Sequence, residues 1–269
     1  MIARRTKKYV SQGLVRLSTL KEYAANFFGR LLLLPVEVAI VALVWQVIYA
    51  FTGPLGRFPL EDMIAYQLLV YAVSRGTWPV GTINYRVWQD IRQGKLDIYL
   101  ARPIDYQLSR MAGELGEASF RSVLHLLTFV VTCAVLGLPI LADPLLWSAF
   151  LLSVAGGFVL RFLIQFMIAT MAFWTEAIFG VRDIVVEIES LLSGRYIPVS
   201  LMPGLVRSIA SALPFQFTLF LPISIYLGHY TRLETLWMLG WQAFWVAGLL
   251  FLSRLLWRRG LARYEAQGG

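Results

Sequence analysis

The chain has 269 residues, 58% of them hydrophobic and only 15% charged, with a mean hydropathy of +0.65; soluble domains carry about 25% charged residues, so a soluble fold is excluded. The net charge of +8 does not point to nucleic acid, because the basic residues lie in segments beside apolar runs, where they orient a membrane protein and meet anionic head groups. Cys133 is the sole cysteine and sits inside an apolar run, which rules out a disulfide framework and a cysteine-built metal site.

Residues 1–30 carry Arg4, Arg5, Lys7, Lys8, Arg16, Lys21 and Arg30, while Val10, Leu14, Leu17, Ala24 and Phe28 recur at helical spacing. That pattern predicts an amphipathic helix lying on the membrane surface. The apolar run behind it is of membrane length and no small-residue cleavage site follows, so this segment is expected to stay attached, on the cytoplasmic side.

Six spans are predicted. The first runs from about Leu31 to Phe51, close to the ~20 residues a bilayer requires, and Gly53, Pro54 and Gly56 turn the chain. A second, from about Met63 to Tyr85, is interrupted by Arg75, Gly76 and Pro79, so neighbouring helices must satisfy its backbone. Residues 86–121 then form the main cytoplasmic loop, with Arg86, Arg92, Lys95, Arg102, Arg110 and Arg121. The third span, about Ser122 to Leu141, turns at Ala142, Asp143 and Pro144 into a fourth that ends near Trp174.

The fifth apolar segment, about Ile184 to Leu205, contains Glu187, Glu189, Gly194, Arg195, Pro198 and Pro203 and reads as a broken helix. Pro214 and Pro222 prevent one straight helix over 206–228, which predicts a re-entrant pair of short helices in the outer leaflet. A sixth span, about Leu236 to Trp257, ends in Arg254, Arg258, Arg259 and Arg263. The predicted class is therefore an all-α polytopic membrane protein, one domain over 1–269, with both termini cytoplasmic. That orientation places eighteen basic residues inside and only Arg57, Arg207 and Arg232 outside.

Ionisable residues within a bilayer cost at least ~2.5–3.5 kcal/mol on insertion scales and are candidates for function. Here they are Arg75, Arg161 and Arg195, with Glu37, Glu187 and Glu189; the alternative reading is buried ion pairs holding helices in register. His125 and His229 have no companion at metal-ligand spacing, and no catalytic constellation is present. Leu191 stands where an intramembrane serine protease would need glycine before Ser193-Gly194. No lysine lies in G-x-x-x-x-G-K-[ST], so ATP hydrolysis is not assigned to this chain. Ser153, Ala155, Gly156 and Gly157 would let a helix approach closely, and Trp237, Trp241 and Trp245 share one face of the last span.

The order of parts, an interfacial N-terminal helix, six spans, a long first cytoplasmic loop and a Pro-broken outer hairpin between spans five and six, resembles the type-2 permease subunits of ATP-binding cassette (ABC) exporters. The closest likeness lies in Ile91-Arg92-Gln93-Gly94-Lys95-Leu96-Asp97, in Tyr99-Leu100-Ala101-Arg102-Pro103-Ile104, and in the stretch from Leu191-Leu192-Ser193-Gly194 through Leu213-Pro214-Phe215 to Gly228.

The resemblance implies a non-enzymatic permease of the bacterial cytoplasmic membrane that dimerises with itself or a sister permease and docks two separate ATPase subunits. Those subunits, not this chain, would bind ATP and Mg²⁺; membrane lipids complete the expected partners. A coupling helix is implied around Gln93, Gly94, Lys95, Leu96, Asp97, Tyr99, Leu100, Arg102 and Pro103. The implied substrate pathway involves Arg75, Trp78, Arg161, Glu189, Ser193 and Arg195, for a hydrophobic drug, cationic toxicant or lipid-like molecule. An ion-gradient-driven carrier, titrating at Glu187 and Glu189, is the rival reading.

Overall fold

A computed structural model describes residues 34–268 apart from 57, 78–82 and 139. The surface helix expected over 1–30, and Trp78, lie outside the described residues. Among those described there are ten α-helices and no strand, as the continuous apolar runs require of a chain whose backbone must satisfy itself in lipid.

α1 (Leu34–Thr52) and α2 (Leu60–Thr77) form the first antiparallel pair. Within the expected second span α2 is described to Thr77, residues 78–82 lie outside the described residues, and an amphipathic helix, α3 (Ile83–Arg92), takes up its far end and runs on past Tyr85. A five-residue helix, α4 (Leu96–Leu100), comes next. Gly94 between them has φ +66°, a left-handed conformation that glycine adopts without the penalty a Cβ would bring.

α5 (Tyr106–Leu136) begins 16 residues before the expected third span. Asp105 caps it by accepting from the Leu108 N–H at 2.8 Å. Its 31 residues make a helix of about 46 Å, well beyond a ~30 Å hydrocarbon core. Charge suggested a loop here, but the charges are paired along the helix: Glu117 accepts from Arg121 one turn on, and Glu114 accepts from Arg86 of α3 at 2.9 Å. Paired side chains on a helix that leaves the membrane resemble a polar loop in composition alone.

α6 (Pro144–Thr170) starts as expected, with Pro144 in the first turn and the Asp143 carboxylate accepting from the Leu145 N–H at 2.8 Å. That bond, reinforced by the Arg232 guanidinium at 3.2 Å, holds the Asp143 carboxyl below its ordinary value. α6 is the hub of the fold. In its most apolar stretch 61% of residues are buried, against 17% for α5 and 11% for α10, and α3, α9 and α10 all pack on it. Phe150, Phe158, Phe162 and Phe166 supply its buried face.

The fifth apolar segment is broken, as its prolines and glycine predict. α7 (Ile178–Leu192) stops at Ser193, and α8 (Gly204–Ala212) and α9 (Phe220–Tyr226) follow as short helices joined through a 3₁₀ turn at Pro214–Phe217. α10 (Arg232–Gly268) closes the chain. Three stretches, Tyr106–Leu136, Pro144–Phe173 and Arg232–Tyr264, are long and apolar enough to cross a membrane, and Val36–Thr52 is a shorter apolar helix. The chain is an all-α, multi-pass membrane protein.

The small residues of α6 pack within the chain. A Cβ on Gly156 would lie 2.7 Å from the Gln242 side chain, and one on Gly157 would lie 3.1 Å from the Phe217 carbonyl. Gln242, in the apolar middle of α10, uses that closeness: its Nε2 donates to the carbonyls of Ser153 at 2.8 Å and Phe217 at 2.9 Å. One side-chain amide thereby ties α10 to both α6 and the 3₁₀ turn between α8 and α9.

Candidate functional site

The break after α7 is built against α2. Gly194 has φ +84°, and its carbonyl accepts from the buried Tyr66 hydroxyl at 2.6 Å. Two residues on, the Tyr196 carbonyl accepts from Gln67 Nε2 at 2.8 Å, while the Ser193 carbonyl accepts from the Phe220 N–H at 3.0 Å. The backbone freed by the break is therefore satisfied by α2 on one side and α9 on the other, as irregular backbone at membrane depth demands. Ser193 is buried and its hydroxyl faces the Ser190 carbonyl at 3.4 Å, so it serves the break itself.

Between α1, α2 and this break lies a cavity of about 360 Å³, with Gln67, Tyr71, Ser74, Arg75, Arg195 and Tyr196 on its walls. Val41 and Val70 complete it. Two of the residues expected in a substrate path, Arg75 and Arg195, are thus brought together from positions 120 apart in sequence. The Arg75 guanidinium lies over the Tyr71 ring, 5.1 Å from its centroid. Neither arginine has a carboxylate partner among the described residues.

Arg161 and Glu189 sit elsewhere. Both are buried, and Arg161 Nε lies 3.0 Å from Glu189 Oε1, with Arg161 Nη1 donating to Thr77 Oγ1 at 3.4 Å. This pair joins α6, α7 and the end of α2, and neither residue lines the cavity. Glu187 is exposed while Glu189 is buried, so the two glutamates of the gradient-driven reading point to different environments and Glu189 faces a permanent cation.

A larger cavity, about 570 Å³, opens between α8, α9 and the face of α10 that carries Trp237, Trp241 and Trp245. Trp237 stands edge-on to Trp241 at 6.2 Å, and Trp241 to Phe244 at 5.5 Å. His229 packs edge-on against Phe58 at 4.5 Å, and His125 is buried beside Tyr71; both are packed histidines.

At the end of the molecule rich in arginine, α4 is lashed to the long helices. Leu96 is fully buried, and the Tyr99 ring lies under the Arg110 guanidinium at 4.6 Å. Asp90 accepts from both Arg110 and the Tyr106 hydroxyl, Arg254 of α10 pairs with Asp105, and Arg92 reaches Glu176 at 3.4 Å. The Tyr106 ring stacks on Trp257 at 4.8 Å with an interplanar angle of 1°. Asp97, at the base of α4, accepts from the Tyr264 hydroxyl at 2.9 Å.

Of the nine residues expected in a coupling helix, Leu96 and Tyr99 turn inward as anchors, while Gln93, Gly94, Lys95, Asp97, Leu100, Arg102 and Pro103 are exposed. Sequence reading missed Ile98, which projects outward at 57% exposure beside Leu100. It also missed the tie to Trp257 and Tyr264; their only signal was aromatic residues in an otherwise arginine-rich terminal turn.

No curated protein matches the chain. A family model described as ABC-2 family transporter protein matches residues 36–268, from the first apolar helix to the end of α10 and so through every element described above. The chain belongs to the ABC-2 family of transporter membrane proteins, the permease components of ABC transporters, which work with an ATPase partner.

Proposed function

We propose that this chain is the membrane-spanning subunit of an ATP-driven exporter of amphiphilic small molecules, acting as a dimer and docking one separate ATPase subunit per permease through α4. The observation that carries this reading is the construction of α4: an exposed rim of Gln93, Lys95, Ile98, Leu100 and Arg102 on a helix whose inner face is pinned by Leu96, Tyr99 and the Asp90–Arg110 pair. A surface loop with no load to carry has no need of such anchoring. Force delivered to α4 would pass through Asp90, Tyr106 and Trp257 into α5 and α10, and through α3 into α6. The charge map supports a cytoplasmic position for α4 and the C-terminal arginines, where the ATPase and its ATP and Mg²⁺ would lie.

Chemistry at the reacting phosphate then belongs to the partner, and this chain contributes rigid levers and a path. The path is assigned to the break after α7, where Arg75 and Arg195 share a cavity. Purification in mild detergent from the native membrane, followed by peptide mass spectrometry, tests the reading. A stoichiometric subunit carrying a P-loop is expected; a homogeneous preparation without one, reproduced after gentle crosslinking, would overturn it.

A further inference from the structure

The Arg75–Arg195 cavity is built for negative charge. Two guanidinium groups line it, each of a kind that costs ~2.5–3.5 kcal/mol to place at membrane depth, and no Asp or Glu is among the described residues on its walls. Elsewhere the fold pairs its deep arginine: Arg161 has Glu189. A third observation is independent of charge. Ser74, 5% exposed, lines the same cavity, and its hydroxyl has no hydrogen-bond partner among the described residues; a buried hydroxyl left unpaired is costly, and an acceptor bound beside it would relieve that cost. Two cations and one unpaired donor make a complementary set for an oxyanion, which guanidinium groups bind in bidentate fashion.

The walls also set the rest of the ligand. Val41, Val70 and the Tyr71 and Tyr196 rings are apolar or amphipathic. Arg195 enters from the break that Gln67 of α2 holds through the Tyr196 carbonyl, and Arg75 enters from α2 itself, so the two cations reach the cavity from two elements. We propose that the substrate is an amphiphile bearing an oxyanion, a carboxylate, phosphate or sulfonate, rather than a cationic or neutral hydrophobic compound. This deepens the exporter reading and rests on it for the assumption that the cavity lies on the transport path.

The test uses the protein purified with the subunits that accompany it, in nanodiscs of phosphatidylcholine. Two fluorescent alkyl probes of equal length, one ending in a carboxylate and one in trimethylammonium, are titrated and binding is read by anisotropy against empty nanodiscs. The carboxylate probe is expected to bind about tenfold tighter or more. Arg75→Gln with Arg195→Gln should abolish that preference, and Arg75→Lys with Arg195→Lys should retain most of it. Equal binding, a preference for trimethylammonium, or an unchanged preference in the Gln variant would each overturn the proposal. Should the Gln variant fail to give a monodisperse sample, the wild-type preference and the Lys variant decide. Adding phosphatidylglycerol separates the sources: competition identifies a phospholipid head group as the oxyanion, and its absence identifies an exogenous amphiphile. ATP hydrolysis by the same sample keeps the two readings apart. Hydrolysis without anion preference sinks the substrate class alone, whereas anion preference without an ATPase subunit leaves the site and sinks the exporter.

Discussion

Gly194 carries the turn on which the candidate path depends. At φ +84° a side chain is strained, and a Cβ there would lie 2.6 Å from the Tyr66 hydroxyl and 3.0 Å from Phe220 Cβ. Gly194→Ala is therefore expected to lower stability by about 2 kcal/mol or more, read as a fall in Tm in detergent. Tyr66→Phe should cost only about 1 kcal/mol, the worth of one buried hydrogen bond. A smaller loss for Gly194→Ala than for Tyr66→Phe would mean that the turn is not held as described. The Arg161–Glu189 pair gives a second residue-level expectation. Glu189→Gln alone should destabilise on the order of 3 kcal/mol by leaving Arg161 buried and unpaired, and Arg161→Met with Glu189→Leu should recover most of that. Equal losses in single and double variants would contradict a structural pair. The glycine and both charges were legible in the sequence, because each is rare in an apolar run. Their partners were not: Tyr66 lies 128 residues from Gly194, and nothing local marks it.

At the scale of elements, the sequence located the breaks better than the ends. Gly94 and Pro103 lie on either side of α4, and the prolines divide the stretch from α7 to α9. The start of α5 lies 16 residues before the expected one because its N-terminal half is charged, and charge reads as loop unless the pairing with α3 is known. The helix α3 is likewise hidden in the sequence, since Asn84, Arg86 and Gln89 resemble the start of a loop and not an amphipathic helix. The exposed Ile98 offers a clean test of α4 as a docking element. Ile98→Asp should leave Tm within about 0.5 kcal/mol equivalent, as for other surface changes, while sharply reducing the ATPase subunit recovered on purification. Unaltered recovery would remove α4 from the docking surface.

Across the whole molecule, one end gathers the arginines and the ion-pair cluster, the other holds the Asp143 cap and the tryptophan-lined cavity, and α6 runs between them as the buried hub. The orientation this implies is testable with single cysteines, since Cys133 is buried and contributes little background. Arg232→Cys should react with a membrane-impermeant thiol reagent on intact cells, whereas Arg259→Cys should react only after permeabilisation; the reverse pattern would invert the topology. If α4 meets an ATPase, a photo-crosslinking amino acid at position 98, irradiated in native membranes, captures it at the contact itself. A crosslinked product containing a P-loop protein, strengthened or weakened by nucleotide, is the expected result. A residue that crosslinks only to lipid, or to nothing, would contradict the coupling role of α4.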